Sequence, residues 1–103
     1  MFSRKELAEK YLAGLGATLD DVCTLDRFVE LMEVLCSNNK SVFLFKLDGE
    51  RTAKKYTFVM SFSEPGSSII RIDTDEIADG VLYVLSRLEQ LNFLQQQGFQ
   101  SDK

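Results

Sequence analysis

Two groups of carboxylates are the first residues in this chain with the types and spacing for chemistry. Asp73, Asp75, Glu76 and Asp79 crowd one short stretch, and Asp26, Glu30 and Glu33 recur at four- and three-residue steps. Carboxylates gathered this closely can ligate a divalent cation through oxygen or act as a glycosidase-like acid pair. They also have plainer uses. Asp73 and Glu76 have capping-box spacing, and Asp75 and Asp79 suit the positive end of a helix dipole. Asp26, Glu30 and Glu33 share one side of a helix, as a solvated face does. The plainer uses account for both groups, so no metal site is assigned. What remains for them is an acidic surface that attracts a basic partner.

The other usual instruments of catalysis are missing. The chain has no His, which removes the commonest general base, the Ser-His and Cys-His pairs, and imidazole metal sites. Cys23 and Cys36 form neither a CxxC nor a zinc ribbon. Gly14-Leu15-Gly16 lacks a third glycine and follows no strand, so it reads as a helix stop rather than a phosphate loop. The expectation is a protein that is not an enzyme and needs no cofactor.

Composition bounds the architecture. A chain of 103 residues with 45% hydrophobic content, eight Phe, six Gly and one Pro suits a single domain over residues 1–103 with its own core. Residues 98–103 read as a flexible tail. The net charge of −4 is unevenly spread. Residues 1–40 carry five basic and seven acidic groups, residues 41–72 five and three, and residues 73–103 two and six. A basic middle therefore sits between acidic flanks. Arg51, Lys54 and Lys55 in that middle, beside aromatic strands, have the composition of a single-stranded nucleic-acid surface. Their aromatic neighbours, however, alternate onto the face that helices must cover, and no RNP-type motif is present. Nucleic-acid binding is the weakest expectation.

Thirteen residues of helix between Cys23 and Cys36 would hold them roughly 19 Å apart, beyond the reach of about 7 Å that a disulfide allows. Both are expected as reduced thiols. The start of the chain is charged and amphipathic rather than a signal core. No run approaches the roughly 20 apolar residues of a membrane span. These points predict a cytoplasmic protein that does not enter membranes.

The elements that must position these groups follow from periodicity. Ser3 and Glu6 form a capping box ahead of a helix with Leu7, Tyr11 and Leu15 on one stripe, stopped by Gly14 and Gly16. Leu19 and Val22 turn inward from an acidic connector. Thr24 caps a second helix that buries Leu25, Phe28, Met32 and Leu35 and ends at Ser37, Asn38 and Asn39. At Lys40 the period changes. Residues 42–47 read as a strand, Asp48-Gly49 opens a long hairpin loop, and residues 56–62 alternate as a second strand. Pro65-Gly66 makes a turn, and Ser68–Ile72 is a third strand. Ile77, Val81, Val84, Leu88 and Leu91 then stripe the longest helix, with a fraying end from Gln95. The predicted fold is α+β in the order α-α-β-β-β-α. Its sheet is a three-stranded antiparallel meander with the helices packed mainly on one face.

Alternation divides the sheet. One face carries Phe43, Phe45, Leu47, Tyr56, Phe58, Met60, Phe62, Ile70 and Ile72, and should meet the helices. The other carries Val42, Leu44, Val59 and Ile69, rimmed by Lys46, Thr57, Ser61 and Arg71. That is less polar than a merely solvated face and resembles a contact surface. The alternative is that the first helix or the segment from Phe93 to Phe99 covers it.

Three functions follow as expectations. The first is a small acidic inhibitor or immunity-type protein that neutralises a basic toxin, such as a nuclease, by covering its active cleft. Asp73, Asp75, Glu76 and Asp79, with Asp26, Glu30 and Glu33, would then steer the encounter. The second is a self-associating adaptor, a homodimer through Val42, Leu44, Lys46, Val59, Ile69 and Arg71. The third is nucleic-acid binding through the basic hairpin.

Overall fold

The structure, a computed structural model, describes residues 2–22, 24–62 and 69–102, and the side chains of all of these except residues 39 and 92–102. Helix α1 spans Arg4–Gly14, a 3-10 turn Leu19–Val22, helix α2 Leu25–Asn39, strands β1 Ser41–Leu47, β2 Tyr56–Phe62 and β3 Ile70–Thr74, and helix α3 Ile77–Asp102. This is the predicted α+β order. The sheet runs β1-β2-β3 with both neighbours antiparallel. Helix α2 packs on β1, α3 packs on β2 and β3, and α1 lies against α3. The Pro65-Gly66 turn and Cys23 lie outside the described residues, and Cys36 is a free, half-buried thiol.

Local signals place most boundaries. Ser3 Oγ accepts from the Glu6 N–H at 3.1 Å and Glu6 Oε1 accepts from the Ser3 N–H at 3.0 Å, so the predicted capping box opens α1. Leu15 caps the other end, and Gly16 takes a φ of 78°, a left-handed value that glycine adopts without a Cβ penalty. The buried face of α1 is Ala8, Tyr11 and Leu12, not the Leu7-Tyr11-Leu15 stripe. Leu15 sits past the helix end and is 47% exposed, while Ala8 lets α1 lie close against α3. Thr24 holds the N-cap position of α2 without accepting a bond from the helix backbone. Its hydroxyl donates instead to the Asp26 carboxylate, which holds that group below its ordinary value. Helix α2 ends at Lys40, in left-handed conformation, whose N–H returns to the Cys36 carbonyl.

The core joins the helices to one sheet face. Phe28, Phe58, Met32, Met60, Ile70, Leu85, Val84 and Leu12 are its largest fully buried side chains. The rings of Phe28 and Phe43 meet edge to face at 5.5 Å, and those of Phe45 and Phe58 at 5.0 Å. Leu19 packs against this core and Val22 is buried in it, as predicted. Leu47 departs from expectation: it stands at the hairpin end of β1, beyond the reach of the helices, and is 58% exposed. The backbone of α3 stays helical to Asp102 where a frayed end from Gln95 was expected. One glycine in a helix costs only about 1 kcal/mol, so Gly98 does not act as a stop.

The largest difference lies at the junction of sheet and α3. Asp73 is not a helix cap. It belongs to β3, where it pairs across the sheet with Thr57, and Thr74 pairs with Tyr56. The strand is shifted two residues later than its apolar run implies, because the register with β2 carries it on through Asp73 and Thr74. Helix α3 starts at Ile77 after a turn in which the Glu76 N–H donates to Thr74 Oγ1 at 3.4 Å.

Candidate functional site

The open face of the sheet is built as three rows. Nearest the hairpin, Lys46, Thr57 and Asp73 lie side by side; next come Leu44, Val59 and Arg71; then Val42 and Ser61, with Ile69 just ahead of β3. The strip is charged at one end and apolar at the other. Val42 is 64%, Leu44 55% and Ile69 65% exposed, so neither α1 nor any other described element covers them. The helices all lie on the opposite side.

The charged end is an ordered network. The Thr57 hydroxyl, nearly buried, donates to Asp73 Oδ1. Arg71 Nη2 stands 3.6 Å from Asp73 Oδ2, and Arg51 Nη1 reaches over from the hairpin to 4.0 Å from Asp73 Oδ1. Arg51 is itself held by Asp48 at 3.5 Å and by donating to the Lys54 carbonyl at 3.0 Å. The Thr57 hydroxyl, and after it Arg71 and Arg51, hold the Asp73 carboxyl below its ordinary value. A carboxylate with a depressed folded value stabilises the fold above the ordinary range near pH 4, and that contribution is lost as pH falls through the folded value. Thr57→Val, which removes the largest cause, should therefore lower the melting temperature most near neutral pH, with the deficit shrinking as the solution is acidified below about pH 4. A deficit that stayed constant on acidification would assign the hydroxyl to packing alone.

The sequence-predicted acidic cluster at residues 73–79 does not act as one. Asp73 is taken up by Thr57, Arg71 and Arg51. Asp75 Oδ1 accepts from the Lys54 backbone N–H, tying the hairpin loop to the start of α3. Only Glu76 and Asp79 stand exposed without such partners among the described residues. Asp26, Glu30 and Glu33 are all exposed on the outer side of α2, which lies across the sheet from the open face. Among the described residues, no three Asp, Glu or Cys side chains come together as a cation site, and no helix is long and apolar enough to cross a membrane.

The open face is thus locally cationic within an acidic chain: Lys46, Arg51 and Arg71 against Asp73. Thr57 stands on this face as alternation predicts, whereas Arg51, which reaches it from the hairpin, and Asp73, read locally as a helix cap, were not assigned to it from the sequence. The Thr57-Asp73 register is the signal that would have found them. Compared with models of protein families, with curated proteins and with solved structures, the chain matches none.

Proposed function

We propose that this chain is a non-enzymatic partner-binding protein that makes its contact through the open sheet face, acting as an inhibitor-type protein that covers another protein's surface. The supporting observation is the uncovered apolar end, Val42, Leu44 and Ile69, beside an ordered ionic network. Exposed apolar side chains on a rigid sheet are inexpensive anchors, because little conformational freedom is left to lose on binding. The network, already fixed before contact, supplies oriented charge that selects a partner.

A second reading rests on a different surface. Asp26, Glu30 and Glu33 form an exposed stripe along α2, with Glu76 and Asp79 exposed at the start of α3, and would steer a basic protein such as a nuclease toward the chain. The two readings separate cleanly. Leu44→Lys should cost roughly 30-fold or more in affinity for a captured partner, the size of an anchor residue worth about 2 kcal/mol. Changing Asp26, Glu30 and Glu33 to Lys should slow association at low salt and leave dissociation unaltered. Binding measured by surface plasmon resonance against the protein captured from lysate decides. Undiminished affinity of Leu44→Lys, with loss only in the α2 variant, would transfer the contact to the acidic stripe.

A further inference from the structure

Strand β3 is a sheet edge whose outward backbone groups can be named. The Asp48 N–H donates to the Lys55 carbonyl at 2.8 Å, so these residues form a hydrogen-bonded pair that continues the β1–β2 register. In an antiparallel ladder such pairs alternate with non-hydrogen-bonded ones. Thr57, Val59 and Ser61 therefore direct their backbone groups toward β1, and Tyr56, Phe58 and Met60 direct theirs toward β3. Their β3 partners Thr74, Ile72 and Ile70 direct their backbone groups inward in turn. The N–H and C=O of Arg71 and Asp73 are left pointing out from the sheet. Among the described residues no strand pairs with them.

The side chains of these two residues carry opposite charge and both stand on the open face. We infer that the β3 edge pairs with the same edge of a second copy, antiparallel about a two-fold axis through Ile72. That operator sets Arg71 opposite Asp73 of the second copy, and Asp73 opposite its Arg71. Each is a hydrogen-bonded pair with opposite charges side by side. The interface is self-complementary, as two-fold contacts must be. Arg71 already stands 3.6 Å from Asp73 in its own strand, so the pairing extends an existing ion pair into a four-membered one. The two three-stranded sheets become one continuous sheet with the open faces joined.

The other edge does not offer this match. Along β1, a two-fold axis through Leu44 would set Lys46 against Val42 of the second copy, with no opposite charge to meet. A lysine on an exposed edge is also a common device against pairing. The inference does not rest on the partner-binding reading above: it stands on the outward backbone groups of β3, while the Arg71 and Asp73 side chains belong to both surfaces.

Sedimentation equilibrium of the full chain tests it. The mass should rise from one chain toward two as concentration increases. Arg71→Asp and Asp73→Arg should each stay at one chain, because like charges then meet twice. An equimolar mixture of the two variants should regain the dimer, because every cross-pair is again opposite. Asp73 also supports Thr57 and Arg51, so a second readout avoids changing it. Opposed residues at a non-hydrogen-bonded site lie about 4.5 Å apart at Cα, within disulfide reach. Ile72→Cys should therefore cross-link two chains under mild oxidation, above the baseline of the unsubstituted chain, and adding Arg71→Asp should prevent it. A chain that stays single at every concentration would overturn the inference. So would a dimer that withstands Arg71→Asp but is dispersed by Leu44→Lys, or an Ile72→Cys variant that never cross-links.

Discussion

Gly80→Ala is expected to destabilise the fold by about 3 kcal/mol or more, the upper end of overpacking costs, although alanine is the better helix former by about 1 kcal/mol. Gly80 lies on the buried side of α3, and a Cβ there would stand 2.1, 2.3 and 2.6 Å from three carbons of the Phe58 ring. Those distances leave no room for an ordinary contact. The ring has no easy retreat: Phe58 is wholly buried, with Phe45 at 5.0 Å, Phe28 at 6.1 Å and Phe43 at 6.3 Å between centroids. Either α3 lifts from the sheet or the aromatic cluster rearranges. Urea unfolding of the two chains measures the difference, and a midpoint unchanged by the substitution would show that helix and ring separate without strain.

Phe58→Ala should cost about 3–5 kcal/mol, a large part of the 5–15 kcal/mol typical of a whole domain. This side chain joins α2, α3 and the sheet, so its removal opens a cavity that no single neighbour can fill. The two substitutions are strongly coupled. On the Phe58→Ala background the obstacle to a Cβ at position 80 is gone, and Gly80→Ala should become neutral or stabilise by up to about 1 kcal/mol from helix propensity. If Phe58→Ala leaves too little folded protein, Phe58→Leu serves the same cycle with a smaller cavity. Additive costs in that cycle would place the strain at Gly80 elsewhere than the Phe58 ring.

These two residues also show what the sequence makes legible and what it does not. The change of period at Lys40, the alternation through Tyr56–Phe62 and the capping box at Ser3 are local patterns, and each led to the right element. The division of the sheet into an aromatic face under the helices and an open face with Val42, Leu44 and Ile69 followed from alternation alone. Gly80 carried no local signal, because its necessity comes from a ring more than twenty positions earlier in the chain. Asp73 misled for a related reason. Read locally, Asp73 and Glu76 are a cap. The cross-strand pairing of Thr57 with Asp73 overrides that pattern and moves the carboxylate onto the open face. Asp75 was likewise diverted, by the backbone N–H of Lys54 in the hairpin loop. An acidic cluster in sequence therefore became, in space, one ionic network, one loop tie and two solvated residues. Leu47 and Leu15 differ because apolar side chains at the ends of elements outrun the surface that would cover them.

The claim that matters most is that the open sheet face makes the functional contact. Its most direct test is amide and methyl chemical-shift mapping of the labelled chain as the captured partner protein is added. Shifts and broadening should concentrate at Val42, Leu44, Val59, Ile69 and Arg71, with Asp26, Glu30 and Glu33 on α2 unperturbed. Perturbation confined to α2 and to Glu76 and Asp79, with the sheet face silent, would contradict the account and assign the contact to the acidic surface.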